Sequence, residues 1–238
     1  MPLRDDNALI LIVGPTAVGK TALSIALAER FGGEIISADS RQIYRSMDIG
    51  TAKATPEERA RVPHHLLDIV APDEWYTVAQ FQDAAMSAIA GIHARGRLPF
   101  LVGGSGLYVR VVTEGLQIPR IPPSPELRAE LESLAAVHPE TLMERLRALD
   151  PDAAARIDPR NVRRVIRALE VCLLAGQPIS EQQTRRPPDL SILRIGLTIP
   201  RSELYCRIDE RVDRMVDTGL VDEVRAVSAR GYPWDAPA

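Results

Sequence analysis

Residues Gly14, Pro15, Thr16, Ala17, Val18, Gly19, Lys20 and Thr21 satisfy the spacing G-x-x-x-x-G-K-[ST], a loop suited to holding phosphate. Gly14 and Gly19 allow the backbone angles that turn successive N–H groups towards one anion. The start of the following helix adds about half a positive charge. Lys20 supplies a slim ammonium, and the Thr21 hydroxyl is a hard oxygen of the kind Mg²⁺ accepts. Together they predict a site for a di- or triphosphate, without saying which one or what reaction follows. Asp39 comes just after the apolar run that begins at Ile35, and is followed by Ser40, Arg41 and Gln42. A carboxylate there could hold Mg²⁺, take a proton from an incoming nucleophile, or simply cap a turn. Gly103, Gly104, Ser105 and Gly106 end another apolar run and offer a hydroxyl and amides, or merely a tight turn. On these groups alone, a small-molecule kinase of the P-loop class explains the sequence as well as other phosphate enzymes do.

These groups need strands that end along one edge. Residues 9–13 are a continuous β-rich run, suited to a strand buried on both faces. The helix after the loop carries Leu23, Ile25, Ala26, Leu27 and Ala28 and closes at Gly32 and Gly33. Residues 34–38, 65–70 and 99–102 read as further strands. Thr77, with Gln80 three residues on, opens a helix through a capping box, and Val78, Phe81, Ala85, Ile89 and Ile92 recur at helical spacing. The alternation predicts an α/β fold: a P-loop NTPase-like parallel sheet covered by helices. Ligands in such sheets sit at the carboxyl ends of the strands, where the loop, Asp39 and Ser105 all fall. After Gly115 the pattern changes. Pro119, Pro122, Pro123 and Pro125 mark a connection, and only helical periodicity follows, over 125–137, 139–149, 151–157 and 160–174. A Pro/Arg-rich stretch at 183–189 leads back to a strand at 193–199 and one long helix at about 202–230. The expected organisation is a first core part at 1–116, a helical insertion at 117–189 and a second core part at 190–238.

The chain has 238 residues, a formal net charge of −3, 45% apolar and 26% charged side chains, a globular composition rather than a disordered one. Its apolar runs fall short of the ~20 residues of a membrane helix. The N-terminus shows no cleavage pattern, so a cytoplasmic protein without membrane contact is expected. Cys172 and Cys206 stand apart, which predicts ordinary thiols rather than a disulfide or zinc site. Of the 29 basic residues only Lys20 and Lys53 are lysine. Arginine serves wherever charge alone is needed, so position 20 reads as too cramped for a guanidinium fork; the spacing offers no reason for Lys53. The near-neutral total also hides a basic run, Arg156, Arg160, Arg163, Arg164 and Arg167, against Asp158 alone.

The wording of the motifs goes further. Gly14-Pro-Thr-Ala-Val-Gly-Lys-Thr21, Asp39-Ser-Arg-Gln-Ile-Tyr44, Met47-Asp-Ile-Gly-Thr-Ala-Lys53 and Pro63-His-His-Leu-Leu-Asp68 occur in order. Leu101-Val-Gly-Gly-Ser-Gly-Leu-Tyr108, Asp158-Pro-Arg-Asn-Val-Arg-Arg-Val-Ile-Arg-Ala-Leu-Glu170 and Arg207-Ile-Asp-Glu-Arg-Val-Asp213 follow. From Leu9 to the last residue the sequence resembles bacterial tRNA dimethylallyltransferases, the IPP transferase family. The resemblance implies transfer of a dimethylallyl group from dimethylallyl diphosphate to N6 of adenine 37 in the tRNA anticodon stem-loop, releasing diphosphate. It implies that residues 14–21 hold the donor diphosphate, with Mg²⁺ at Thr21, and that Asp39 is the base. Lys20, Ser105 and an arginine would steady the leaving group. That arginine is Arg207 or Arg211, one helical turn apart, and the sequence does not separate them. The implied tRNA contacts are Asp39, Ser40, Arg41, Gln42, Ser105, Arg128, Arg163, Arg164, Val165, Ile166 and Arg167. Ser105 stands where family members often have threonine, which keeps the hydroxyl. His64 and His65 are expected to be structural.

The resemblance further implies a monomer whose partners are tRNA and the prenyl donor. The family continues past this endpoint with another tRNA-contact block, so an incomplete chain is expected. Three other readings stay open: a prenyltransferase acting on free adenylate, a P-loop small-molecule kinase, and a non-catalytic RNA-binding module. The arginine run and the helical insertion weigh against the first, since a small acceptor needs neither.

Overall fold

The computed structural model describes residues 7–234 and 236–237. The chain forms two compact units, Met1–Thr113 with Pro188–Ala238, and Glu114–Pro187. In the first unit, strands Ala8–Val13 (β1), Gly33–Ser37 (β2), His64–His65 (β3), Leu98–Gly103 (β4) and Ser191–Gly196 (β5) form one parallel sheet in the order β3-β2-β4-β1-β5. Ile10, Ile12, Ile35, Phe100 and Val102 pack with Ile25 and Ala28 of helix α1 (Lys20–Phe31) on one face. The alternate residues Leu9, Leu11, Ile36 and Leu101 are buried too. Burial of both alternating sets is why these strands read as unbroken apolar runs. Helix α2 (Pro56–Arg61) opens with a capping box at Thr55, and α3 (Val78–Ala94) with the expected one at Thr77. Helix α4 (Gly106–Thr113) begins where the sequence indicated only a turn. The chain passes from β1 to β2 and later inserts β4 between them, so the crevice opens at the carboxyl ends of these three strands. Among the described residues no helix is long and apolar enough to cross a membrane.

The second unit is helical. Prolines in the first turn start α5 (Pro125–Val137), α6 (Pro139–Leu149) and α7 (Pro151–Arg156), where their fixed φ suits a helix and their missing N–H costs nothing. Helices α8 (Val162–Ala175) and α9 (Ile179–Gln182) complete it. Its core holds Leu131, Leu142, Leu146, Val165, Ile166 and Leu169. Asp150 is buried and takes N–H bonds from Ala153 and Ser180 as well as the Ser180 hydroxyl, tying α7 to α9.

Two expected elements differ. The strand expected over 65–70 shrinks to β3, with an isolated bridge between Tyr44 and Val70. Leu66 and Asp68 adopt left-handed φ of 63° and 57°, which breaks the strand and turns Asp68 onto Lys53 and Arg59. The long helix expected over 202–230 is two helices, α10 (Arg201–Asp217) and α11 (Leu220–Ala229), separated at Gly219 with φ 103°. Side chains rarely tolerate that angle, and glycine does.

Candidate active site

The loop after β1 and the start of α1 form the floor of the site. Gly19 precedes α1 at φ 100°, an angle glycine supplies without a Cβ penalty. Lys20 Nζ donates to the carbonyls of Gly14 and Pro15 at 2.9 and 2.8 Å, which folds it over the loop. Lys20, Thr21, Asp39 and Arg211 line one cleft, together with Gln42 and Thr51.

Asp39 owes its place to a junction between the ends of β2 and β4. Ala38 N–H donates to the Val102 carbonyl at 2.7 Å, and Ser105 N–H returns to the Ala38 carbonyl at 3.2 Å. Gly103 is needed there, because a Cβ would sit 2.1 Å from the Ala38 oxygen. The Ser105 hydroxyl accepts the Ser40 N–H at 2.9 Å and donates to Ser40 Oγ at 3.3 Å. Ser105 therefore steadies the Asp39 turn, a task distinct from the diphosphate contact that the resemblance implied. Arg41 N–H donates to Asp39 Oδ1 at 2.9 Å, an Asx turn. The Arg41 guanidinium is exposed and donates to the Pro237 carbonyl. Gln42 accepts from the Ser37 hydroxyl at 2.9 Å and donates to the carbonyls of Thr51 and Ala52, both at 3.1 Å, so it braces the opposite wall.

The structure separates the two arginines. Arg211 reaches the cleft, whereas Arg207 is exposed and pairs with Glu203 at 2.7 Å. Leu204, Ile208, Arg211 and Met215 recur at i, i+4, i+7, i+11 and are the half-covered positions of α10. That stripe was the signal for the inward arginine. Burial lowers the Lys20 pKa, Asp39 opposes the shift, and Arg211 adds to it. Burial also pushes Arg211 down from its usual value, again opposed by Asp39. Two cations and one carboxylate thus feel one another across the cleft, and a bound polyanion would relieve the repulsion between the cations.

Lys53, unexplained by the sequence, is buried. Its Nζ donates to the Tyr44 carbonyl, to Asp48 at 2.8 Å and to Asp68 at 2.6 Å. Three donors meet three acceptors converging on one point, which an ammonium satisfies and a planar fork does not. His64 and His65 hold the Val62 carbonyl and the buried Glu34, each at 2.7 Å; His64 also lines the cleft.

In the second unit, Arg163 and Arg164 are exposed. Val165 and Ile166, implied as tRNA contacts, have their side chains in the helical core, since they lie on the same buried face of α8 as Leu169 and Cys172. Arg128 and Arg167 both clamp the fully buried Glu170, Arg128 through two bonds of 2.8 and 2.9 Å. Their guanidinium groups join α5 and the 121–124 connection to α8.

Among the described residues no group of three or more His, Cys, Asp or Glu could hold a metal ion alone. The cleft does offer hard oxygen donors, the Thr21 hydroxyl and the Asp39 carboxylate among them. That set fits a cation whose remaining ligands are phosphate oxygens and water.

A family model described as IPP transferase matches residues 42–238, and one described as isopentenyl transferase matches residues 7–68. A tRNA dimethylallyltransferase of Chloroflexus aggregans is 60% identical over 98% of this chain and 79% of its own length. One from a Roseiflexus species is 59% identical over 97% and 76%. Among solved structures, the tRNA isopentenylpyrophosphate transferase of Bacillus halodurans matches with a TM-score of 0.66 and 49% identity, covering 97% of this chain and 73% of that one. A eukaryotic dimethylallyltransferase acting on tRNA matches with a TM-score of 0.80 and 32% identity over 94% and 56%. The chain thus belongs to the IPP transferase family.

Proposed function

We propose that this protein transfers a dimethylallyl group from dimethylallyl diphosphate to N6 of adenine 37 in tRNA, releasing diphosphate. The observation that carries the reading is the convergence of Lys20, Thr21, Asp39 and Arg211 on one cleft at the strand ends. Relatives at 60% and 59% identity carry the name of that activity. An allylic C–O bond ionises readily, so the protein's task is to stabilise departing charge and to aim the amine. Loop amides, Lys20 and Arg211 take the diphosphate as it accepts the bonding electrons. Thr21, with Asp39 nearby, would hold Mg²⁺, which neutralises phosphate charge when bound. The adenine amine is a weak nucleophile because its lone pair is delocalised into the ring. As its nitrogen bonds the allylic carbon, the N–H proton passes to the Asp39 carboxylate, held in place by Arg41 N–H and the Ser105–Ser40 strut.

A base must leave the anticodon stack to enter such a cleft, which is easier in a loop than in a duplex. Arg163 and Arg164 are free to meet RNA phosphate as exposed forks. Arg128 and Arg167 act on RNA indirectly, by holding α8. The decisive experiment incubates the protein with labelled donor and either tRNA or AMP, then locates the label by mass. Label on tRNA adenine is expected. Label on AMP with unmodified tRNA, or transfer of the γ-phosphate of ATP to an acceptor, would overturn the reading.

A further inference from the structure

Helices α10 and α11 carry the cleft's arginine, yet neither buries a single residue. Packing therefore holds Arg211 only through the half-covered stripe of Leu204, Ile208 and Met215. A polar clamp also crosses from α11 to the loop between β2 and β3. Glu223 Oε2 accepts the backbone N–H groups of Asp48 and Ile49 at 2.7 and 2.8 Å, and Oε1 accepts that of Gly50 at 2.9 Å. Three consecutive amides turned towards one point form an anion nest, and a carboxylate is the acceptor-only group that fills it. Gly50 lets the hairpin approach, since a Cβ there would lie 3.2 Å from Leu220 Cδ1. Arg230 adds a bond to Ser46 Oγ at the far end of α11.

The gripped loop is itself braced by side chains. Lys53 gathers Tyr44, Asp48 and Asp68, and Gln42 holds the carbonyls of Thr51 and Ala52. Thr51 and Ala52 line the same cleft as Arg211. Glu223 thus joins the two walls of the site: the fixed loop on one side and the arginine-bearing hairpin on the other. This also gives a task to the Met47-Asp-Ile-Gly-Thr-Ala-Lys53 block, which the chemistry leaves unused.

We propose that Glu223 is a positioning residue that sets Arg211 against the diphosphate through the amides of Asp48, Ile49 and Gly50. The inference rests on the reading of the cleft as a diphosphate site. Its test is a double-mutant cycle with wild type, E223A, R211A and the double variant, and E223Q as the conservative change. Two readouts are taken, calorimetric affinity for inorganic diphosphate and rate of dimethylallyl transfer to tRNA, with thermal unfolding alongside. E223A is expected to weaken diphosphate binding and slow transfer about tenfold with Arg211 present, but less than about twofold in its absence. E223Q keeps one acceptor oxygen and should fall between; it carries the test if E223A unfolds. Wild-type diphosphate affinity in both Glu223 variants, or an equal loss with and without Arg211, would overturn the proposal and leave Glu223 a mere fold stabiliser. If diphosphate binding shows the expected coupling while the wild type leaves tRNA unmodified, the reaction assignment fails and the clamp stands.

Discussion

Replacing Arg211 and Arg207 separately by alanine sets one structural distinction against an otherwise symmetrical pair. Both belong to one sequence block and lie four residues apart on α10. Arg211 lines the cleft with Lys20 and Asp39, half-buried, and a guanidinium about 4 Å from a phosphate oxygen gains about 4 kcal/mol per unit charge at an effective dielectric near 20. Lys20 and the loop amides remain to share the leaving group's charge, so the expected loss is that of one preorganised donor, about 3–4 kcal/mol or 10²–10³-fold in the transfer step. Arg207 has a side chain 44% exposed and pairs with Glu203, itself 47% exposed. Such a surface pair contributes about 0.3–0.5 kcal/mol to stability, and its loss should leave transfer within about twofold. Arg211→Lys restores the charge without the fork and should recover part of the loss. The assay is single-turnover transfer of labelled dimethylallyl to an anticodon stem-loop, quenched over time, so that product release does not mask the chemical step. A large loss in Arg207→Ala with near-normal transfer in Arg211→Ala would refute the assignment of the inward stripe.

Asp39→Ala should lower turnover by about 10²–10⁴-fold, the range for a general base, with tRNA affinity in a binding assay largely kept; unchanged turnover removes Asp39 from the role. Lys53→Met leaves the Asp48 and Asp68 carboxylates facing each other across a buried centre. It should cost about 2–4 kcal/mol by denaturant unfolding, less than a wholly buried pair because Asp48 is 60% exposed. Glu170→Gln should destabilise by a similar amount at neutral pH, since it leaves Arg128 and Arg167 around an uncharged group. Burial pushes the Glu170 carboxyl up, but Arg128, Arg167 and the Ser124 N–H outweigh it and hold the folded value below the ordinary 4.5. A depressed carboxyl stabilises the fold fully above that ordinary value and loses its contribution as pH falls through the folded one. The gap between wild type and Glu170→Gln should therefore narrow on acidification. A constant gap from neutral to acid pH would contradict the clamp.

The phosphate loop was legible because its parts are contiguous: a strand, two glycines, a lysine and a hydroxyl at fixed spacing fold the same way wherever they occur. The starts of α5, α6 and α7 were legible for the same reason, with proline in each first turn and Ser124 and Asp150 capping α5 and α7. The sequence also placed Asp39 and Ser105 at strand ends, and strand ends in a parallel sheet share an edge. Motif wording alone did not separate the two arginines of α10, although the apolar stripe of Leu204, Ile208 and Met215 runs along the side that carries Arg211. What the tertiary structure added is the cleft itself, lined by Arg211 and not by Arg207. Val165 and Ile166 sit beside Arg163 and Arg164 in the sequence, yet the period of α8 turns their side chains into the core. Lys53 and Glu170 are buried charges that are tolerable only because opposite charges close on them, from 5 and 15 residues away at Lys53 and from 3 and 42 residues away at Glu170. Local geometry follows from bonds along the chain. The placing of Arg211 beside Lys20 and the grip of Glu223 on amides 175 residues away depend on distant segments, whose meeting is set by the closure of the whole fold.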